Sequence, residues 1–397
     1  MKSFLKHFSS FFLLSFCCQL AVSQAVQEKL ERFKSMSLRN EEKGLAEPFK
    51  GITTDGTVQK GIFELEKTGV STESVRTAAL NFLSSLDDDQ KEKTTFSLDD
   101  NEWRMWMNQH FYIRQGVGFD EMSETQRQAA FNLMSTSLSA SGLKLSRDIM
   151  KLNHTLGEIN NNFDEYGEWL YYITIMGEPS ATEPWGWQMD GHHLIINYFI
   201  VADQVVMTPL FVGSEPVIAE TGKYKGISIL QDEQNMGLKM FKSLNETQKK
   251  EAVIEVTKEG NNNLTEAFKD NVVIGNTGVK VSALSKIQQE QLLSLINLYI
   301  DNMDEGHGKV KMDEVRRFIS ETRFSWIGGT EDNAVYYYRI YSPVILIEFD
   351  HQTPVGTKQL YGNTPHRQHI HAVVRTPNGN DYGKDLLRQH YQKNAHK

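Results

Sequence analysis

Three segments near the C-terminal end, Ala334 to Tyr341, Pro343 to Asp350 and Gln368 to Arg375, constrain the fold more than any other part of the chain. All three are rich in β-branched and aromatic residues and read as strands. The first two are joined by Ser342 alone, which leaves no room for a crossover and makes the pair antiparallel. Side chains two apart on a strand point to the same side. His369, His371, Val373 and Arg375 therefore share a face with Glu348 and Asp350 on the preceding strand and with Tyr337, Arg339 and Tyr341 on the one before. The opposite face carries Ile370, Ala372, Val374, Ile345, Ile347 and Phe349. A sheet built this way has an apolar side for helices to cover. Its other side is rich in titratable groups, which are costly to bury unless paired or coordinated.

Further strand signals lie upstream. Glu168 to Met176 reads as a strand and Gly177 to Trp187 as a loop, with Pro179 and Pro184. Gly191 to Val201 is a second strand, which forms a hairpin with Val205 to Phe211 across Asp203-Gln204. On that strand, period two sets His193, Asn197 and Phe199 on one face and His192, Leu194 and Ile196 on the other. Helical periodicity marks Val26 to Ser37, Thr72 to Leu86, Ser123 to Leu138, Leu143 to Ile159, Leu284 to Tyr299 and Asp381 to Gln392. Ser123 with Gln126 and Ser285 with Gln288 have capping-box spacing, and a similar opening occurs at Ser243 to Gln248. The expected fold is α+β, a mainly antiparallel sheet with helices packed on and around it. It forms a single domain over 24–397: a helical part at about 26–160, sheet strands at about 168–211 and 324–375, and a helical insertion at 232–321.

The first residues have the form of an export signal. Lys2 and Lys6 precede an apolar run from Phe8 to Leu20, and Ala21-Val22-Ser23 offers small residues at the −3 and −1 positions, so cleavage is expected after Ser23. Both cysteines, Cys17 and Cys18, lie in this segment. The mature chain then has no thiolate chemistry, and any metal must be held by His, Asp, Glu or Asn. Loss of Lys2 and Lys6, with no acid lost, takes the formal charge from −9 to −11. That acidity, without a basic stripe, argues against nucleic acid as a partner. No later stretch is apolar enough to span a membrane. The expected location is periplasmic or extracellular.

The histidines carry the chemistry. Imidazoles at His369 and His371, a third from His193 or His192, and a carboxylate from Glu348 or Asp350 would make a three-histidine or two-histidine, one-carboxylate metal site. A divalent transition metal suits such ligands, zinc first, with copper or iron as alternatives. Glu348 is equally a candidate base. Arg339 and Arg375 would orient an anionic group, and Trp185, Trp187 and Asn197 would contact a sugar ring or other small substrate, or the two tryptophans would instead cap the core. Without a metal, the same groups form an acid–base or anion site, or a network in which the arginines pair with Glu348 and Asp350. Asp301 to Gly306 has an acidic-loop look, but Met303 and Met312 occupy ligand positions of a calcium loop, so it reads as a solvated turn. His390 and His396 read as solvated.

Several motifs occur together in one order: Gly177 to Thr182, Pro184-Trp185-Gly186-Trp187, Gly191-His192-His193-Leu194, Thr208-Pro209-Leu210-Phe211, Trp326 to Thr330, Tyr337-Tyr338-Arg339-Ile340, His369-Ile370-His371 and Asp381 to Leu387. In this the chain resembles the bacterial "domain of unknown function 3500" family from about Leu86 to Tyr391. The resemblance implies an often exported protein without an established activity. The link from His351 to Gln368 is longer here than that family's usual Asn-rich one. The functional expectation is an exported metal-dependent enzyme, a hydrolase acting on a polar or anionic substrate such as a carbohydrate derivative. A copper or iron oxidoreductase at the same ligands, or a non-catalytic protein binding a glycan or small anion, are the alternatives.

Overall fold

The computed structural model describes residues 27–394, so the expected signal segment, both cysteines and His396 lie outside the described residues. The fold is α+β. Its strands are β1 (Thr95–Phe96), β2 (Val117–Gly118), β3 (Tyr171–Met176), β4 (Trp185–Gly191), β5 (Leu194–Val201), β6 (Gln204–Val206), β7 (Leu210–Ser214), β8 (Val253–Glu255), β9 (Val279–Lys280), β10 (Arg323–Gly328), β11 (Tyr336–Tyr341), β12 (Leu346–His351) and β13 (Ile370–Arg375). They form one sheet in the order β1-β3-β4-β5-β7-β13-β12-β11-β10-β8, with β2, β6 and β9 attached to β3, β5 and β10. Only the short β1–β3 and β8–β10 pairings are parallel. The decisive pairing is β7 with β13, in which Gly213 faces His371. It joins the upstream strands to the C-terminal ones and brings the two histidine-bearing segments together.

The helices are α1 (27–45), α2 (Glu73–Ser85), α3 (Asp88–Thr94), α4 (Glu124–Ser137), α5 (Ala140–Asn160), α6 (Gln231–Lys242), α7 (Glu246–Ala252), α8 (Lys286–Ile300), α9 (Glu305–Arg317), α10 (Lys358–Tyr361) and α11 (Lys384–Lys393). Capping boxes open α4 at Ser123 and α8 at Ser285, as their spacing predicts; α7 is capped by Asn245 with Gln248 rather than by Ser243. The apolar sheet face is covered where aromatic rings stack in series. Phe241 of α6 lies 4.6 Å from Trp326, Trp326 lies 4.4 Å from Tyr336, and Tyr338 lies 5.0 Å from Phe349. Gly237 lets α6 come this close, since a Cβ there would lie 2.2 Å from the Tyr338 ring. Among the described residues, no helix is long and apolar enough to cross a membrane.

Three local expectations need correction. Trp185 and Trp187 belong to a strand, not a loop; β4 is buried along its whole length, so it lacks the alternation that marks a half-exposed strand. His192 and His193 are likewise not strand residues. Gly191 pairs with Leu194, which makes the two histidines the tip of the β4–β5 hairpin, and parity along a strand does not apply to them. His390, expected to be solvated, is 4% exposed on α11, with Nε2 3.3 Å from Glu183.

The polar face is covered too. A segment without long regular structure, 256–278, lies across it and is pinned by successive contacts. The amides of Asn262 and Asn263 donate to Asp350, and those of Leu264 and Thr265 donate to Glu348. Glu266 meets His371, Asp270 meets Arg375 and Thr277 meets Arg339. This strap touches Asp350, Glu348, His371, Arg375 and Arg339 in turn without a covering helix.

Candidate metal centre

Three histidines converge beneath the strap. His371 lies on β13, His369 just before it, and His193 enters from the β4–β5 turn. His193 adopts the left-handed region, φ +63°, a conformation that costs free energy for a residue with a side chain and recurs at functional sites. Its backbone is held on both sides: its amide donates to Asn108 O at 3.1 Å, and its carbonyl accepts from Gly213 N at 2.9 Å. Gly213 also makes room for the ring opposite, since a Cβ there would lie 2.4 Å from Ile370 O and 3.4 Å from His371 Cδ2. The sequence thus builds one glycine contact between the two histidine segments.

The three Nε2 atoms form a triangle with edges of 3.3 Å (His193–His369), 3.1 Å (His193–His371) and 3.0 Å (His369–His371). The triad is buried, at 5%, 4% and 7% exposure for His193, His369 and His371. Burial pushes the imidazole pKa of His193 and His371 well below the ordinary value, and the neighbouring rings push the same way. For His369, burial also lowers the pKa, although Glu215 opposes it. Neutral rings are the ligand-competent form.

The outer nitrogens fix where the protons are. His369 Nδ1 lies 2.9 Å from Thr353 O, an acceptor only, and His371 Nδ1 lies 2.6 Å from Glu266 Oε1. His369 Nδ1 therefore donates, and His371 Nδ1 does so when Glu266 is ionised; in that state both neutral rings carry lone pairs at Nε2. His193 can donate an Nε2 proton to one of them but not to both. One lone pair is then left without a proton, 3.0 Å from the neighbouring Nε2, an arrangement that a cation at the centre would relieve. Zinc bonds imidazole nitrogen at about 2.0–2.1 Å, which sets tetrahedral ligands roughly 3.3 Å apart. The observed triangle fits that spacing, so the triad could hold a metal ion.

Two carboxylates behind the triad have no sequence signal, because both lie outside the histidine strands. Glu215 follows β7 and accepts from the Val355 and Thr357 amides and the Thr357 hydroxyl, with Oε2 3.5 Å from His369 Nδ1. Burial raises its pKa, but His369 and Thr357 outweigh that and hold it below the usual carboxylate value. Glu266 comes from the strap, and burial pushes its pKa up to about 7. Carboxylates bonded to the outer nitrogen of a ligating imidazole orient the ring and raise its basicity. Glu266→Gln is expected to weaken metal binding about 10–100-fold, read by competition with a chromophoric chelator, without unfolding the protein.

The other expected site residues stand elsewhere. His192 stacks on His193 with centroids 4.0 Å apart, but its Nδ1 is engaged by Asn153 Oδ1 at 2.8 Å and it is not part of the triad. Glu348, expected as ligand or base, is 0% exposed, and its oxygens accept from the Leu264 and Thr265 amides and the Tyr337 hydroxyl. Asp350, expected as a ligand, pairs instead with Lys258 at 2.8 Å; burial pushes its pKa up to about 7 against that pairing. Arg375 is held by Asp270 at 2.6 Å and Asp381 at 2.8 Å, which leaves it no reach toward a substrate. Trp185 and Trp187 are 0% exposed, with ring N–H groups bonded to Ser180 O and Ser137 Oγ, so they are core rather than a stacking wall. Asn197 is equally buried, between Gln188 and the Pro209 carbonyl. Arg339 differs from all of these in that its guanidinium meets the Thr277 hydroxyl rather than a carboxylate.

A family model described as "Protein of unknown function (DUF3500)" matches residues 68–384 and so takes in every residue of the triad and its two carboxylates. No curated protein and no solved structure matches the chain.

Proposed function

The chain belongs to the DUF3500 family, and from the geometry of its own histidines we propose that it is an exported metal-dependent enzyme, a hydrolase acting on a small polar or anionic substrate. His193, His369 and His371 would hold the ion, zinc first, through Nε2. The observation that carries the reading is the lone-pair conflict at the triad, which a bound cation removes. Among the described residues the group contains three ligands and no fourth, the ligand count of catalytic rather than structural zinc sites. A metal bound there supplies Lewis acidity toward water or a carbonyl oxygen. The chain's own residues do the positioning: Thr353 O and Glu266 set the tautomers of His369 and His371, and Phe211, 4.9 Å from the His371 ring, shields one side from water. Lys2, Lys6 and the apolar run after them support export.

The test is elemental analysis of protein made without an affinity tag, then a screen with chromogenic esters, phosphoesters and glycosides in air and under exclusion of oxygen. About one equivalent of zinc per chain and oxygen-independent turnover are expected. Failure to take up any transition metal would overturn the reading. Turnover only in the presence of oxygen would move it to a copper or iron oxidoreductase at the same ligands.

A further inference from the structure

Most buried cations around the sheet sit against carboxylates: Arg104 on Asp270, Arg114 on Asp190, Lys258 on Asp350, and Arg375 on Asp270 and Asp381. Arg339 does not. It is 4% exposed on β11, yet among the described residues no carboxylate lies within ion-pair distance of its guanidinium. One Nη2 donates to the Thr277 hydroxyl, and Nε is buried without any partner. Its cross-strand neighbour Glu348 turns its oxygens to the strap amides and Tyr337 instead. A guanidinium shielded from water without a counter-charge is expensive, and the cost falls when an anion joins it.

The surroundings suit an anion. Arg323 on β10 has no carboxylate within ion-pair distance among the described residues and donates to Gly278 O at 3.0 Å, so the two arginines grip adjacent residues of one loop. Ser325 Oγ holds the same loop through Thr277 O at 3.1 Å. Because the Thr277 hydroxyl accepts from Arg339, its own proton is free to donate outward, and Thr277 is exposed. Lys280, opposite Arg323 in the β9–β10 pairing, adds a third positive charge at the rim. Of the acidic groups nearby, Glu348 is already engaged and Asp55 lies on the Tyr341 side.

We propose that Arg339, with Arg323 and the Thr277 hydroxyl, binds a tetrahedral oxyanion, phosphate or sulfate, either free or carried as an ester on a polar substrate. The unpartnered Nε–H of Arg339 and the Thr277 hydroxyl supply adjacent donors that such oxygens accept, and Arg323 supplies the second charge. This inference does not rest on the metal: the site lies two strands from β13, and its donors are separate from the triad.

The experiment is calorimetric titration of full-length, metal-depleted protein with inorganic phosphate, sulfate and a sugar phosphate at constant ionic strength, for wild type, Arg339→Gln and Arg323→Gln. One saturable site is expected in wild type, at least tenfold weaker in Arg323→Gln and absent in Arg339→Gln. Tighter binding of the sugar phosphate than of phosphate identifies an ester as the natural form, and the reverse identifies the free ion. No saturable binding by wild type, or binding unchanged in Arg339→Gln, overturns the proposal. If Arg339→Gln does not fold, Thr277→Val takes its place, and affinity unaltered in both Thr277→Val and Arg323→Gln is then the overturning result. Metal content of the same wild-type preparation before depletion keeps a failure here separate from a failure of the metal reading.

Discussion

His371→Ala is expected to lose stoichiometric metal binding. Its ring contributes two of the three Nε2 contacts of the triad, at 3.1 and 3.0 Å, and it is the ring whose outer nitrogen Glu266 orients. Two imidazoles without a carboxylate in the group make a poor site for zinc, so the loss exceeds the roughly 10–100-fold that follows removal of an outer partner. Thermal unfolding provides the readout. At a metal concentration about 100 times its Kd, wild type gains about 2.7 kcal/mol of stability, and the variant gains essentially none. A variant with wild-type metal content would end the assignment of His371 as a ligand.

The largest loss of stability is expected at Arg375, where no ligand is involved. Arg375 is 0% exposed and lies between Asp270 and Asp381; Asp270 also pairs with Arg104 and accepts from the Tyr382 hydroxyl. Arg375→Ala removes the cation, strands Asp381 in a water-excluded place and leaves Asp270 with Arg104 alone, a change that costs about 3–5 kcal/mol. Chemical denaturation would show it as a lower midpoint, and adding Asp381→Asn should recover part of the loss by removing one stranded charge. An unchanged midpoint would mean that the pairings contribute nothing. Arg339 has no such carboxylate to strand, which is the physical contrast between two arginines that look alike in sequence.

How far the site can be read from sequence follows from how each residue is positioned. Strand parity places His369, His371, Glu348, Asp350 and Arg375 on one face, because period two is a local property of the backbone. It cannot say which charges on that face are already occupied. The occupants, Leu264, Thr265, Glu266 and Asp270, sit in an irregular strap whose path depends on the sheet itself. His193 reaches the triad through a turn, where parity has no meaning, and the β7–β13 pairing that delivers it joins segments more than 150 residues apart, beyond any local pattern. Trp185 and Trp187 illustrate the same limit, since a strand buried on both faces shows no alternation.

The strap also has a consequence for length. Its contacts run in chain order, from Asn262 on Asp350 through Leu264 on Glu348, Glu266 on His371 and Asp270 on Arg375 to Thr277 on Arg339. Adjacent anchors are two to seven residues apart, so there is little slack for an insertion or deletion to be absorbed. Losing one residue between Leu264 and Asp270 would shift several anchors off their partners together. The link between β12 and β13 is tied down near both ends, by Glu215 at Val355 and Thr357 and by the Val217 amide at Gln368 O, while the short α10 in its middle leaves Leu360 57% exposed. Spacing is therefore rigid on the side of the triad that carries Glu266, and on the other side it is forgiving only around α10, between the anchors at Thr357 and Gln368. Variation in chain length can accumulate there without moving a histidine.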